Sequence, residues 1–459
     1  MKFGPTYTFR RTLIAAFLAG TLLHGVPPAG AQVVSFTLAE LRRIRRHSPL
    51  EPAPLDTTNR AANHPVAAHL GRFLFFDTGL SSNGSVSCAT CHNPKRGFAD
   101  GKPLAEALGQ VNRHSPSLWN VVYNRWFFWD GRADSLWAQA MGPIENPAEM
   151  GFSRVEVAHY LNQDTRLRNT YAAIFGPLPD LSDEKRFPEA GRPVPDNPQH
   201  PHHVAWSSMK AEDQATINRV FTNVCKAIAA YESLLISRRS AFDVFVEGLK
   251  DGDPEKLRAL SASAQRGLKL FVGRANCRLC HGGPNFTDGE FHDTRVAPLR
   301  GGRPRDAGRL KGARTVLADP FNAAGEYSDD RSARTRAKLE FLANPPENWG
   351  RFKTPSLRNL ALSAPYMHQG QFATLRRVLL HYSTMEGALP PGHHREVILK
   401  PLNLKPEEID DLQAFLESLT DIDIDPELLR QPKSPVWEAS KRQNNNRNDD
   451  SDRRGRGER

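Results

Sequence analysis

Four of the five cysteines fall into two copies of one pattern, Cys88-Ala89-Thr90-Cys91-His92 and Cys277-Arg278-Leu279-Cys280-His281. Two thiols three positions apart, followed at once by an imidazole, suit covalent attachment of a c-type haem: the thiols add to the two vinyl groups as thioethers, and the histidine folds back as proximal iron ligand. Other uses of the pattern fit less well. A zinc site needs four sulfur or nitrogen ligands in one cluster, and these motifs are far apart and each carries its own histidine. A redox dithiol or a structural disulfide has no need of the trailing histidine twice. Cys225 stands apart among Val224, Ile228 and Ala229, the setting of a buried apolar thiol.

Such groups need helices to hold them. Apolar residues recur at three- and four-residue intervals over Leu38 to Arg46, Val155 to Phe175, Gln214 to Ile236, Pro254 to Phe271, Leu375 to Tyr382 and Pro406 to Leu419, which predicts helices there. Convincing alternation of the strand kind is scarce. Gly176 to Pro201 and Arg300 to Gly350 are rich in Gly, Pro and Asn and read as long loops, of the kind that wrap a ligand or carry a partner site. The expected fold is mainly α, two cytochrome-c-like haem domains with long loops. Their expected bounds are 32–250 and 251–430.

The chain starts with Lys2, Arg10 and Arg11, an apolar run from Leu13 to Leu23, and Ala29-Gly30-Ala31 before Gln32. Charged start, short apolar core and small-residue site read as a secretory signal peptide cut after Ala31, so a periplasmic location is expected. Nothing later approaches the length of apolar sequence that spans a bilayer, so no membrane anchor is expected. The formal charge of +10 is concentrated at the ends. Without the signal residues and the segment from Pro432, the body keeps only about +4, which gives no reason to expect a nucleic-acid partner. The basic residues Arg295, Arg300, Arg303, Arg305, Arg309, Lys311 and Arg314 read as a solvated loop that could steer an acidic protein. The polar end, 431–459, has too little apolar sequence to bury and reads as a disordered tail.

Two c-haems alone would also fit a simple electron carrier. What separates a carrier from an enzyme is an open, acid-flanked sixth position on one iron. Here longer motifs decide: Arg113-His114-Ser115-Pro116-Ser117-Leu118-Trp119-Asn120, Phe128-Trp129-Asp130-Gly131-Arg132, then Gln139, Pro143 and Glu149-Met150-Gly151. Further on come Ser240-Ala241-Phe242-Asp243, Cys280-His281-Gly282-Gly283-Pro284, Pro355-Ser356-Leu357-Arg358-Asn359 and Pro365-Tyr366-Met367-His368. Over roughly residues 50 to 420 the chain resembles the bacterial dihaem cytochrome c peroxidase and MauG superfamily. The resemblance implies that the haem on His92 is the peroxidatic one, with Glu149 as distal acid/base and Gln139 as its amide partner. It implies that Trp129 lies between the haems and passes electrons. Hydrogen peroxide is the implied oxidant, and the implied partner is an electron-donor cytochrome or cupredoxin, or a protein substrate as in MauG.

Several positions depart from the peroxidase pattern. Where peroxidases that need prior reduction carry a distal histidine, this chain has Gln110 in Ala107-Leu108-Gly109-Gln110; an amide is a poor iron ligand, so the first haem is expected to be open. Where the peroxidases place a methionine on the second iron, an ungapped count from Pro365 reaches Tyr382, as in MauG, with His381 and Met385 as rival ligands. Tyrosinate is a hard anionic donor that favours oxidised iron, whereas a thioether raises the potential. The tryptophan that MauG carries two residues before its second cysteine pair is Ala275 here. A calcium ligand of the relatives, usually Asn, is His114. Calcium prefers oxygen donors, so an ion here would rest on backbone carbonyls near Lys353 to Pro355 and on water.

Overall fold

The computed structural model describes residues 34–390, 398–421 and 423–437. The signal peptide read over 1–31 and the polar tail from 438 onward lie outside the described residues.

Two crossed helix pairs organise the chain. In the first, helix Pro65–Phe76 starts on a proline at its first turn, where no amide donor is missed, with the His64 ring accepting from the Ala67 amide. It crosses the long helix Ala211–Glu232 at Gly71, where a β-carbon would sit 1.8 Å from the Ala227 carbonyl oxygen. Only a glycine lets these two backbones approach so closely. Leu70, Leu74 and Phe75 pack there with Val224 and Ile228, and helix Leu136–Glu145 lays Trp137, Met141 and Ile144 on the same core. Each such buried apolar side chain contributes on the order of 1.5–3 kcal/mol.

The second pair repeats the device. Helix Ala262–Val272, capped by Ser261, crosses helix Pro406–Glu417 at Gly267, whose β-carbon would lie 1.9 Å from the Asp411 carbonyl oxygen. Leu268, Phe271, Leu412 and Phe415 fill this core, with Phe242 and Phe245 from helix Ala241–Asp251. A short antiparallel ribbon pairs Phe291 with Lys353 and His292 with Phe352.

The chain exchanges its ends between the two cores. Near the amino end, Phe36 stands edge-on to Phe245 at 6.2 Å, and Ile44 belongs to the second core, not the first. The Ser48 hydroxyl donates to Asp243 at 2.8 Å, where Asp243 also takes both terminal nitrogens of Arg358. Near the carboxyl end, Ile424, Leu428 and Leu429 pack on the first core, and the Tyr231 hydroxyl donates to the Leu428 carbonyl at 2.6 Å. The segment read as tail from residue 431 continues along helix Pro65–Phe76: the Gln431 amide donates to the Phe73 carbonyl, and the His69 ring lies 2.9 Å from the Ser434 carbonyl.

The expected helices form, with three corrections. The run Val155 to Phe175 is two helices, Arg154–Gln163 and Thr165–Phe175, because Asp164 takes an extended conformation and caps the second. The run Pro254 to Phe271 is likewise two, Pro254–Leu257 and Ala262–Val272, divided before the Ser261 cap. Arg300 to Gly350 is not all loop: it contains helices Arg309–Ala318 and Ala333–Glu340. Nor is its basic cluster uniformly solvated. Arg309 is buried, its guanidinium 4.3 Å over Trp126 and 4.1 Å over Phe291, so a residue that reads as surface charge serves as a cationic filler between aromatic rings.

Candidate dihaem active site

The first motif forms the short helix Cys88–Cys91. His92 then turns its ring so that Nδ1 lies 3.0 Å from the Phe98 carbonyl. The second motif does the same, with His281 Nδ1 3.0 Å from the Phe286 carbonyl. A carbonyl partner makes Nδ1 the protonated nitrogen and leaves Nε2 as the free ligand atom, and it fixes the ring's orientation. Burial holds both imidazoles below their ordinary pKa, in the neutral form that binds a metal. The same burial, aided by the field of Asp100, pushes the Cys91 thiol up to about 12, and burial, with a smaller contribution from Cys280, pushes Cys277 to about 12.

Both motifs open into one cavity of ≈ 600 Å³. Cys91, His92, Gln139 and Glu149 of the first part of the chain line it, as do Cys277, Cys280, His281 and Tyr382 of the second, and Trp129 is in the same wall. Cys88 faces a smaller adjoining cavity of ≈ 40 Å³, which Gln139 and Glu149 also line. The site residues expected from sequence are thus brought to one continuous space. Its walls fit haem chemistry: two neutral imidazoles each present a free nitrogen, and the cations Lys353 and Lys400 line the cavity where propionates could meet them, whereas Arg274 and Arg358, also in the wall, are already paired with Glu408 and Asp243. Lys353 is the informative one. Burial holds its ammonium down to about 8, partly offset by Asp288, so this cation is short of an anion. In the sequence Lys353 enters only through its backbone carbonyl, as part of the stretch considered for calcium, and nothing there marks its ammonium as buried.

Glu149 follows helix Leu136–Glu145 in a turn built by Asn146. The Asn146 carbonyl accepts from the Glu149 amide at 2.9 Å, its side-chain oxygen accepts from the Ala148 amide, and its side-chain amide donates to Glu149 Oε2. Burial raises the Glu149 pKa, and the Asn146 hydrogen bond and the Arg132 charge only partly oppose this. Gln139 lies on the helix just before, half-buried and turned to the same space. Trp129 donates its indole N–H to the His114 carbonyl at 2.9 Å and accepts on its own carbonyl from the Lys353 amide at 2.8 Å, which locks the ring between the two halves.

The departures from the peroxidase pattern also take definite places. Gln110 is exposed and outside the cavity, its side-chain oxygen accepting from Arg300 at 2.6 Å. Its loop is pinned to the turn that carries the acid, through Gly109 N–H to the Ala148 carbonyl at 2.8 Å. Of the three rivals on helix Leu375–Thr384 and its cap, Tyr382 lines the cavity; His381 turns away, its Nε2 3.1 Å from the Thr294 carbonyl, and Met385 ends the helix with a positive φ of 54°. Burial, together with the nearby Cys280 and Cys277 thiols, drives the Tyr382 hydroxyl above its ordinary pKa, as expected of a phenol without a cation beside it. Ala275 is buried in the cavity wall. His114 commits Nδ1 to the Lys102 carbonyl at 2.8 Å, so this nitrogen faces an acceptor and not a cation.

Fold and site together define a mainly helical protein with two haem-binding motifs, one of them beside a half-buried carboxyl and amide. Residues 65–251 match the family model for di-haem cytochrome c peroxidase. The chain is 34% identical over 404 residues to the methylamine utilization protein MauG of Methylorubrum extorquens, covering 87% of this chain and 90% of that one. It is 28% identical over 404 residues to the cytochrome c551 peroxidase of Pseudomonas aeruginosa, with coverages of 86% and 91%. A solved MauG-like protein associated with microbial copper homeostasis superposes with a TM-score of 0.56 at 25% identity, over 85% of this chain and 97% of that one. The chain belongs to the di-haem cytochrome c peroxidase and MauG family, a family of haem oxidoreductases, and binds two haems. Among the described residues no helix is long and apolar enough to cross a membrane.

Proposed function

We propose that this is an exported, periplasmic dihaem c-type peroxidase that reduces hydrogen peroxide with electrons relayed from its second haem. In this reading Cys88 and Cys91 hold one haem as thioethers with His92 on the iron, in a domain spanning 32–250. Cys277 and Cys280 hold the other with His281, in a domain spanning 251–430, and Tyr382 is its sixth ligand. The observation that carries the proposal is the pairing of Glu149 and Gln139 on the cavity wall beside His92, with Gln110 turned out to solvent.

When bound, haem supplies redox-active iron that can take oxidising equivalents from peroxide. The chain's own residues handle the protons. As a carboxylate, Glu149 takes the proton from one peroxide oxygen and, once protonated, returns it to the other, so that the O–O bond breaks with water as leaving group. Gln139 can donate one amide hydrogen bond to orient peroxide. Trp129, gripped by bonds to His114 and Lys353, is fixed for electron passage. The electrons come from a reduced cytochrome or cupredoxin.

A second reading has its own support. Tyr382 on the cavity wall, where peroxidases have methionine, favours MauG-like oxidation of residues in a partner protein. The rival electron-transfer cytochrome leaves Glu149 and Gln139 without a purpose. Spectra of the fully oxidised holoprotein, before and after peroxide and without reductant, test these readings. Direct reaction of both haems is expected. Reaction only after prior reduction removes Tyr382 from the second iron, and peroxide left unconsumed with or without a reduced cytochrome supports the carrier.

A further inference from the structure

Behind the distal acid lies a second buried acid that the mechanism above does not use. Glu232 is the last residue of helix Ala211–Glu232 and is 4% exposed. Its Oε2 is fully buried and has no hydrogen-bond partner among the described residues. A carboxyl in this position is costly to keep unless it is neutral or bonded to water. It borders the ≈ 40 Å³ cavity that runs along the first haem motif, lined by Ser87, Cys88, Cys91 and His92 together with Gln139 and Glu149. A space of this size accommodates ordered water, and Glu232, Glu149, Gln139 and Ser87 on its walls supply the polar partners a buried water needs.

Reduction of one hydrogen peroxide to two waters breaks the O–O bond, forms two O–H bonds, and consumes two electrons and two protons. Shuttling by Glu149 moves the proton peroxide already has; it adds none. The two further protons must enter a pocket walled by protein. We propose that Glu232 is the proton donor behind Glu149, passing a proton through water in the small cavity to the distal carboxylate and regaining one from solvent after each transfer, twice in every turnover. This rests on the peroxidase reading above; the electrons come from the one-electron donor protein already named there.

The groups around Glu232 suit a neutral acid. Cys88 faces it from the haem-binding helix, Cys225 and Tyr231 from its own helix, and Glu149 across the cavity, where His92, held neutral by burial, also lies. Desolvation raises its pKa to about 8, with no opposing cation among the described residues. It therefore holds its proton at neutral pH while an ordinary glutamate would have lost it.

Glu232→Gln keeps the volume and removes the proton. Both haems and their spectra should be retained, and the first bimolecular reaction with peroxide, which needs only Glu149, should proceed as in the wild type. Steady-state turnover at saturating peroxide should fall roughly 100-fold, the lower end of what a positioned acid contributes, with a larger solvent isotope effect and loss of the alkaline limb of the pH profile. Glu232→Asp should restore part of the turnover. Infrared spectra of the wild-type holoprotein at neutral pH should contain a protonated-carboxyl band that Glu232→Gln removes. This last readout does not depend on peroxidase activity. An ionised Glu232 in the wild type overturns the inference, as does normal turnover in Glu232→Gln, or an equal loss in both phases, which would mark a packing role. Wild-type protein inert to peroxide overturns the functional reading instead, and the inference with it.

Discussion

Exchanging Glu149 for glutamine separates what this residue does for chemistry from what it does for the fold. The structure indicates that the two effects differ greatly in size. For the fold, one oxygen accepts from the Asn146 amide, and burial already favours the uncharged carboxyl. A glutamine keeps that acceptor and the volume, so the loss of stability should not exceed about 1 kcal/mol, the worth of one rearranged hydrogen bond. For the chemistry, no group remains to take a proton from peroxide, and the rate of reaction should fall roughly 100-fold or more, equivalent to about 2.7 kcal/mol in the barrier. The pH dependence is a separate signature. The base form is needed, and its pKa is raised, so the wild-type rate should climb with pH through a midpoint above that of an ordinary glutamate and then level off. In Glu149→Gln this rise should vanish. Stopped-flow mixing with peroxide measures the rate, and thermal unfolding the stability. An unchanged rate, or a rate loss matched by a stability loss of several kcal/mol, would refute the reasoning. Gln139→Ala should slow the same step less.

Tyr382→Phe should retain the covalent haem, since Cys277, Cys280 and His281 are untouched, and lose little packing; the second haem's low-spin spectrum should change. If that spectrum instead changes only on substitution of His381 or Met385, the ligand assignment is wrong. Asp243→Ala should destabilise the protein by about 3–5 kcal/mol, because it strands the Arg358 guanidinium, whose side chain is 0% exposed. In the wild type the Arg358 and Ser240 bonds hold the Asp243 pKa below its ordinary value despite burial. Its stabilisation is present above the unfolded pKa of about 3.9 and is lost as pH falls through the lower folded one, which acid unfolding curves of wild type and variant should show. Chelation of calcium should leave interhaem coupling unchanged, since His114 already spends Nδ1 on a carbonyl; a fall in peroxide turnover on chelation, restored by calcium, would contradict this.

The haem motifs were legible because their chemistry is local: three residues within five positions carry the whole signal. Tyr382 could be distinguished from His381 only as a count along a helix, and the fold supplies what the count lacks, namely which of the adjacent side chains faces the cavity. Glu232 left no readable mark. It falls inside the run expected to be helical, Gln214 to Ile236, with nothing to distinguish it from a solvated glutamate, and its burial follows from the packing of Pro65–Phe76 and the Cys88–Cys91 turn, which are distant in sequence. The helices missed in Arg300 to Gly350 failed for a related reason: their apolar faces are narrow, and Arg309 fills the place of an apolar residue by stacking on Trp126 and Phe291. Asp164 and Ser261 were visible as cap residue types but lay inside longer periodic runs that concealed the breaks.

The exchange of chain ends bears on how this protein matures. The strap around Phe36 and Ile44 belongs to the core that forms around residues some 200 positions later, and the strap from Ile424 to Ser434 returns to the helix at Pro65–Phe76. A polypeptide emerging amino end first can build neither core in full until nearly all of it has been delivered. A cofactor joined to Cys88 and Cys91 before the carboxyl end arrives would meet a half that still lacks its closing strap, with the pocket more open than in the finished molecule. The late-arriving carboxyl segment then acts as a latch, so a truncation before Ile424 should loosen the amino-terminal haem's surroundings although it removes nothing near that haem in sequence.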